Sequence, residues 1–364
     1  MNKAFKFRAC PNAQQRELFA KTVGCARFVY NRMLADKIAH YNKTGKMLNN
    51  TPAQYKDEFP FLREVDSMAL CNAQLQLQSA YKNFFREKSI GFPEFRSKKS
   101  SRRAYTTNCI NGNITIAGNC LKLPKMGLVR VKFHRQVPDT YKIKSVTFSQ
   151  DPSGKYYVSI LTEYEADIPE RILDTSKALD LDYSSPHFYV DSQGEEADMP
   201  HFYRQAQQHL AKEQRKLSHM IKGSSNYRKQ RRRVALAHEK VKNQRKDWQH
   251  KKSRELADKW DIVCLEDINY KGMSASLKLG KATMDNGFGQ FCEFLTYKME
   301  ERGKKVITID KWFPSSKLCR HCGYINSELT LSDRVWICPS CGKTIQRDEN
   351  AAINIRNTGV MLIA

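Results

Sequence analysis

At 364 residues the chain is long enough for two or three packing units, which excludes a peptide or a minimal binding module. Lysine and arginine number 62 against 38 aspartates and glutamates, and the resulting +24 exceeds what solubility requires, so the expected partner is a polyanion, nucleic acid before any membrane. With no apolar run of about 18 residues and no secretion-like N-terminus, the expectation is a soluble cytoplasmic protein, nucleoid-associated through its charge.

The chain opens with a strand-like alternation over residues 3–9. Helical spacing then follows at Leu18, Phe19, Val23, Phe28, Val29 and Met33. Helices dominate to about residue 90, and SMALCNAQLQLQSAYKNFFREK is the second of them, stopping before Gly91 and Pro93. Its Tyr81, Phe84 and Phe85 lie at helical spacing and read as core. FRSKKSSRRAYTTN is basic, serine-rich and loop-like. Arg102, Arg103, Tyr105, Thr106 and Asn108 are therefore candidate nucleic-acid contacts.

From residue 110 to 165, short alternating runs separated by Gly, Pro and Asn predict a small antiparallel sheet or barrel. KALDLDYSSPHFYVDSQGE reads as strand, turn, strand, and a polar helical region follows from about 200 to 258, broken near GSSN. Arg231, Arg232 and Arg233 stand in succession there and are candidates for phosphate contact. DIVCLEDIN is a nearly continuous apolar strand ending in acids. A helix around GQFCEFLTYKMEERG and a strand VITIDK lead into a cysteine cluster.

The 11 cysteines are an odd number scattered over a basic chain, which argues against disulfides and makes clustered cysteines metal ligands. Cys319, Cys322, Cys338 and Cys341 are spaced C-x2-C-x15-C-x2-C, which brings two thiolate pairs around one tetrahedral zinc. Glycines follow the second and fourth cysteines, where a tight knuckle favours them, and His321 reads as a spacer. Four cysteines leave no open position, so this zinc is expected to be structural.

Acids also fall where buried strands or a helix start would present them: Asp180, Glu266 and Asp348. Buried strands avoid unpaired carboxylates, so such acids imply partners or a hard cation, and two magnesium ions held by this set would suit phosphodiester hydrolysis. Asp182 shares a strand face with Asp180 and competes for the metal role, although a loop cap or surface ion pair is the favoured reading for it and for Asp267. Glu266 and Asp267 point oppositely. Capping is the alternative for Asp348, and for Arg347 a salt bridge and a phosphate clamp both fit.

These features together resemble the TnpB (OrfB-type) proteins of bacterial insertion sequences, relatives of type V CRISPR effectors. The resemblance runs nearly the whole length and is most specific in WFPSSKLCRHCGYINSELTLSDRVWICPSCGKTIQRDENAAINI, with GCARFVYNRML and LEDINYKGM in the expected order. It implies an α/β chain with β-barrel and helical parts. A wedge-like β-barrel would span 1–10 and 100–168, a helical recognition domain 11–99, an RNase H-like RuvC nuclease domain 169–314 and 346–364, and an inserted zinc ribbon 315–345. Carried over position by position, the nuclease acids fall on Asp180, Glu266 and Asp348. Asp182 stands where the family commonly has glycine. The implied activity is magnesium-dependent, RNA-guided cleavage of double-stranded DNA by a monomer, with guide RNA and target DNA as partners and no membrane. A catalytically silent RNA-guided repressor and a type V CRISPR effector are the alternatives.

Overall fold

The N-terminal alternation forms β1 (Asn2–Cys10), which turns Phe5, Phe7 and Ala9 into a core. Helix α1 (Ala13–Thr44) starts at Asn12, whose side chain and that of Gln15 cap each other's backbone N–H groups. It ends at Gly45, in the left-handed region at φ 69°. After the single turn α2 (Tyr55–Glu58), helix α3 (Ser67–Arg86) is capped by Asp66 and packs Leu70, Ala73 and Leu77 against Val29, Met33 and Leu34 of α1. Tyr81 belongs to that core, but Phe85 is 68% exposed, so the aromatic run at the end of α3 is only partly interior.

The chain, described from a computed structural model, divides into two units, Met1–Ala166 and Asp167–Ala364. Residues 1–363 are described apart from 88, 100–101, 166–167, 169–170, 185–186, 270–284 and 331–332. The end of LEDINYKGM, the Ser-Pro pair at 185–186 and the serines at 100–101 of the basic stretch thus lie outside the described residues.

In the first unit β1 joins β2 (Ala104–Asn108), β3 (Thr115–Ala117), β4 (Cys120–Leu123), β5 (Gly127–Lys132), β6 (Lys142–Gln150) and β7 (Tyr156–Glu163). The strand order β2-β6-β7-β1-β5-β4-β3 is antiparallel throughout. Its edge strands β2 and β3 are not bonded to each other, so the antiparallel sheet that the strand pattern allows is present, and the barrel that the resemblance implies is open along that edge.

The second unit is built on β8 (Ala178–Ser184), β9 (Phe188–Asp191), β10 (Ile262–Glu266) and β11 (Lys305–Ile309), in the order β11-β10-β8-β9. Strands β8, β10 and β11 are parallel and β9 runs against β8. Helices α4 (Phe202–Ser218) and α5 (Ser225–Lys259) break as expected at Gly223, with Ser224 capping α5. Helices α6 (Phe288–Glu300) and α7 (Arg347–Met361) complete the unit.

Strand alternation sorts the sheet into two unlike faces. Leu179, Leu181, Val263 and Leu265 face α5 and α6, where Leu256, Phe291 and Leu295 cover them. On the opposite face Ala178, Ile262 and Cys264 pack against Ile355 of α7, and Asp180, Asp182 and Glu266 share their parity. Helix α7 lies close because position 359 is glycine: a Cβ there would meet Cys264 Sγ at 2.2 Å. No described helix is long and apolar enough to cross a membrane.

Candidate active site and metal centre

The register that aligns Asp180 with Cys264 and Leu181 with Leu265, carried one step further, leaves Asp182 and Glu266 side by side where β10 ends and β8 runs on two residues along β9. They line a cleft of ≈ 440 Å³ with Asp348 and Arg347 of α7, Ser315, Ser316, Lys317 and Thr330. Three separated stretches of chain thus place three carboxylates in one wall. The helix that brings Asp348 is tied down by its own asparagines: Asn350 donates to Leu318 O at 2.7 Å, and Asn354 donates to Ser315 O at 2.8 Å and Leu318 O at 2.7 Å. Ser315 in turn hydrogen-bonds Glu266.

Asp182 is not the loop cap or surface ion pair that its sequence context favours. Burial, then the charges of Glu266 and Asp348, push its carboxyl up to about 7 against the pull of Arg347. Asp180 lies one pleat behind, 0% exposed, with both carboxylate oxygens unpartnered. Burial, then Asp182 and Glu266, hold its carboxyl well above the usual range, while its backbone N–H donates to Ser192 Oγ at 3.1 Å. Glu266 is raised by burial, and Asp267 is exposed on the other side of the strand end. Asp348 stands in the first turn of α7, where the helix dipole favours an anion. Arg347 Nε meets its Oδ1 at 3.1 Å and Arg334 Nη1 its Oδ2 at 2.9 Å. Asp182 and Glu266, raised by burial, thus share the cleft with the arginine-paired Asp348, and all three offer carboxylate oxygens, the donor type that hard divalent cations prefer.

The four cysteines converge as well, their Sγ atoms all within 4.8 Å of one another. Cys319 and Cys341 are 3.7 Å apart and Cys322 and Cys338 3.6 Å, against an edge of about 3.8 Å for a tetrahedron of thiolates around zinc. Two matching knuckles hold them: Gly323 N donates to Cys319 O and Gly342 N to Cys338 O, each at 2.9 Å, with φ of 73° and 69°. The hairpin β12 (Val335–Ile337) and β13 (Thr344–Gln346) packs Trp336 and Ile345 beneath them. His321 is outside the cluster.

In the first unit a cleft of ≈ 320 Å³ has a floor of small residues, including Val23, Gly24, Ala69 and Ala73, and a rim of Arg27, Arg96, Lys98, Arg102 and Arg103. Arg96 is ordered by cation–π contact with Tyr30 at 3.7 Å and by Gln76 at 2.7 Å. Arg27 and Arg96 were not singled out by sequence reasoning, because the helical and loop positions that align them are far apart in the chain. Thr106 lines this cleft. Tyr105 is 4% exposed, its ring packed on Phe19 and Phe148, so that ring has no free face for a base. Asn108 accepts from Asn72 at 3.4 Å, and Arg231, Arg232 and Arg233 are exposed on α5.

Residues 288–355 match the Cas12f1-like TNB domain family, 159–277 a family described as "Probable transposase", and 1–46 a "Helix-turn-helix domain" family of the same OrfB group. The last label does not describe residues 1–46 here, which form one strand and one long helix. A Streptomyces pristinaespiralis protein named "Putative RNA-guided DNA endonuclease" is 34% identical over 99% of this chain and 90% of its own. An Escherichia coli K12 protein of the same description, InsQ, is 29% identical over 99% of this chain and 93% of its own. The cryo-EM structure of a Cas12f1–sgRNA–target DNA complex has the same fold, with a TM-score of 0.61 at 12% identity, covering 98% of this chain and 99% of that one.

Proposed function

Because the chain belongs to the TnpB family of IS605-type elements, we propose that it is an RNA-guided DNA endonuclease whose single nuclease site is the carboxylate cleft of the second unit. The observation that carries this reading is the meeting of Asp182, Glu266 and Asp348 in one wall at the end of a mixed parallel sheet. That sheet and α7 correspond to a RuvC-type, RNase H-like domain over 169–314 and 346–364. The ribbon of 315–345 is inserted between β11 and α7 and carries a structural zinc on Cys319, Cys322, Cys338 and Cys341.

The donor set fits magnesium: oxygen ligands, clustered negative charge, and the wholly buried, unpartnered Asp180 immediately behind. Two such ions, when bound, supply an activated water and stabilisation of the leaving 3′ oxygen, so that the cut end carries a 5′ phosphate. We assign Asp182, Glu266 and Asp348 as the ligands. Asp180, the first acid both by its place on an apolar strand and by the resemblance, is read instead as the buried carboxylate behind them. Glu266 is oriented by Ser315, and Asp348 by α7. Lys317 and Arg347 stand in the same wall and attract the phosphodiester.

The remaining cationic surface grips nucleic acid. Arg102, Arg103 and Thr106, joined by Arg27, Arg96 and Lys98, line a cleft suited to a phosphate backbone, and Arg231–Arg233 form a second contact on α5. A guide RNA pairs with one target strand and supplies the specificity, while protein contacts set the register.

The test is to express the chain with its native flanking DNA, sequence the RNA that copurifies, and challenge the complex with a matched duplex in magnesium or in chelator. A discrete RNA with magnesium-dependent double-strand cutting is the expected result. A discrete RNA without cutting would make the protein a guided binder, and no RNA would remove the guided reading.

A further inference from the structure

The carboxylate that opens α7 is spoken for on both oxygens. Arg347 holds Oδ1 at 3.1 Å and Arg334 holds Oδ2 at 2.9 Å. The two arginines are not equivalent. Arg347 is nearly buried; its backbone N–H donates to Arg334 O at 2.9 Å and its Nη1 to Thr330 O at 3.4 Å, so it is fixed at the base of the cleft. The Arg334 side chain is 65% exposed and comes from the far side of the ribbon hairpin, just before β12. It can leave without disturbing a core.

We propose that Arg334 is an exchange residue: it competes with a divalent cation for Asp348 and, once displaced, takes a non-bridging oxygen of the DNA phosphate at the cleft. This rests on Asp348 being a metal ligand. A guanidinium within hydrogen-bonding distance of a carboxylate oxygen and a divalent ion on that oxygen repel each other, so loading the ion weakens the Arg334 contact. The released fork matches phosphate geometry bidentately and is always charged. Arg334 would thereby link metal loading to arrival of the strand: without DNA it raises the metal concentration needed, and with DNA it stabilises the charge about to develop.

The experiment uses the full chain with its copurified RNA. Free Mn2+ is followed by electron paramagnetic resonance during titration of wild type, Arg334→Gln, Arg334→Lys and Asp348→Asn, and single-turnover cleavage is measured at saturating metal. Arg334→Gln is expected to bind Mn2+ roughly three- to tenfold more tightly, yet to cleave roughly tenfold more slowly, since a charged hydrogen bond is lost in each state. Arg334→Lys keeps the competition and recovers only part of the rate. Unchanged or weaker Mn2+ binding in Arg334→Gln, or an unchanged cleavage rate, overturns the proposal. If Asp348→Asn binds Mn2+ like wild type, it is the assignment of Asp348 as a ligand that fails.

Discussion

The two clusters proposed to bind metal in the second unit are built in opposite ways. The thiolates come from 23 consecutive residues, two knuckles closed by their own backbone hydrogen bonds, so local chain geometry suffices to bring the sulfurs within 4.8 Å. The carboxylates come from positions 182, 266 and 348 and meet only because two parallel strands set the first two side by side and a helix lies across that sheet face. On the proposed assignments, the ribbon needs its zinc in order to fold, whereas the acid site needs the fold in order to hold a cation. Loss of a ligand should therefore have a different signature in each.

The largest effect is expected at the acids. Asp182→Asn or Glu266→Gln should reduce guided cleavage by at least about 10³-fold, since loss of an ion stabilising the transition state costs several kcal/mol. Copurified RNA, zinc content and thermal midpoint should stay near wild type, and a coincident loss of folding would erase the contrast. Next is Cys338→Ser, which should abolish bound zinc and melt the ribbon, since structural zinc contributes on the order of 10 kcal/mol to such a module. Metal analysis and protease mapping should place the new cleavage sites within residues 315–345 while the main sheet stays protected. Cleavage should fall too, because the ribbon carries Arg334 and leads into α7.

A smaller effect tests how tightly the acid site depends on tertiary packing. Gly359→Ala forces a methyl group onto Cys264 Sγ, a 2.2 Å contact. It should cost roughly 1–3 kcal/mol in urea unfolding, as overpacking does, and Cys264→Ala should recover part of that loss. The smallest lies away from both clusters. Burial pushes the Lys298 ammonium down to about 8 although it donates to His250 O and Ser253 Oγ. The folded form therefore holds fewer protons than the unfolded chain between about 8 and the free value of 10.5, and stability gains from this group as pH rises through that window. Lys298→Met should flatten that part of the pH profile in thermal melts. An identical profile would show that the lysine titrates normally.

The same contrast explains what the sequence discloses. C-x2-C-x15-C-x2-C specifies its site by spacing alone, and the glycines after Cys322 and Cys341 take the left-handed angles that the knuckles require. Strand periodicity puts Asp180, Asp182 and Glu266 on apolar strands, and both the residue pattern and the resemblance favour Asp180 over Asp182. Neither could tell which of two acids on one strand face lines the cleft, because that depends on the register with β10 and on where α7 stops covering the face. Tyr105 shows the same limit: a tyrosine after a basic run is an inviting stacking platform, yet alternation in β2 turns it inward onto Phe19 and Phe148. The strand pattern allows sheet and barrel alike, because alternation does not say whether β2 and β3 close on each other, and the fold keeps them apart as the two edges.

The most direct test of the account sets Asp180→Asn beside Asp182→Asn in the RNA-loaded protein, reading Mn2+ binding and single-turnover cleavage of a matched duplex. If the cleft acids hold the metal, Asp182→Asn loses both, while Asp180→Asn keeps metal binding and cleaves within roughly tenfold of wild type. Cleavage surviving in Asp182→Asn and lost in Asp180→Asn would contradict the assignment and move the metal site one pleat deeper into the sheet.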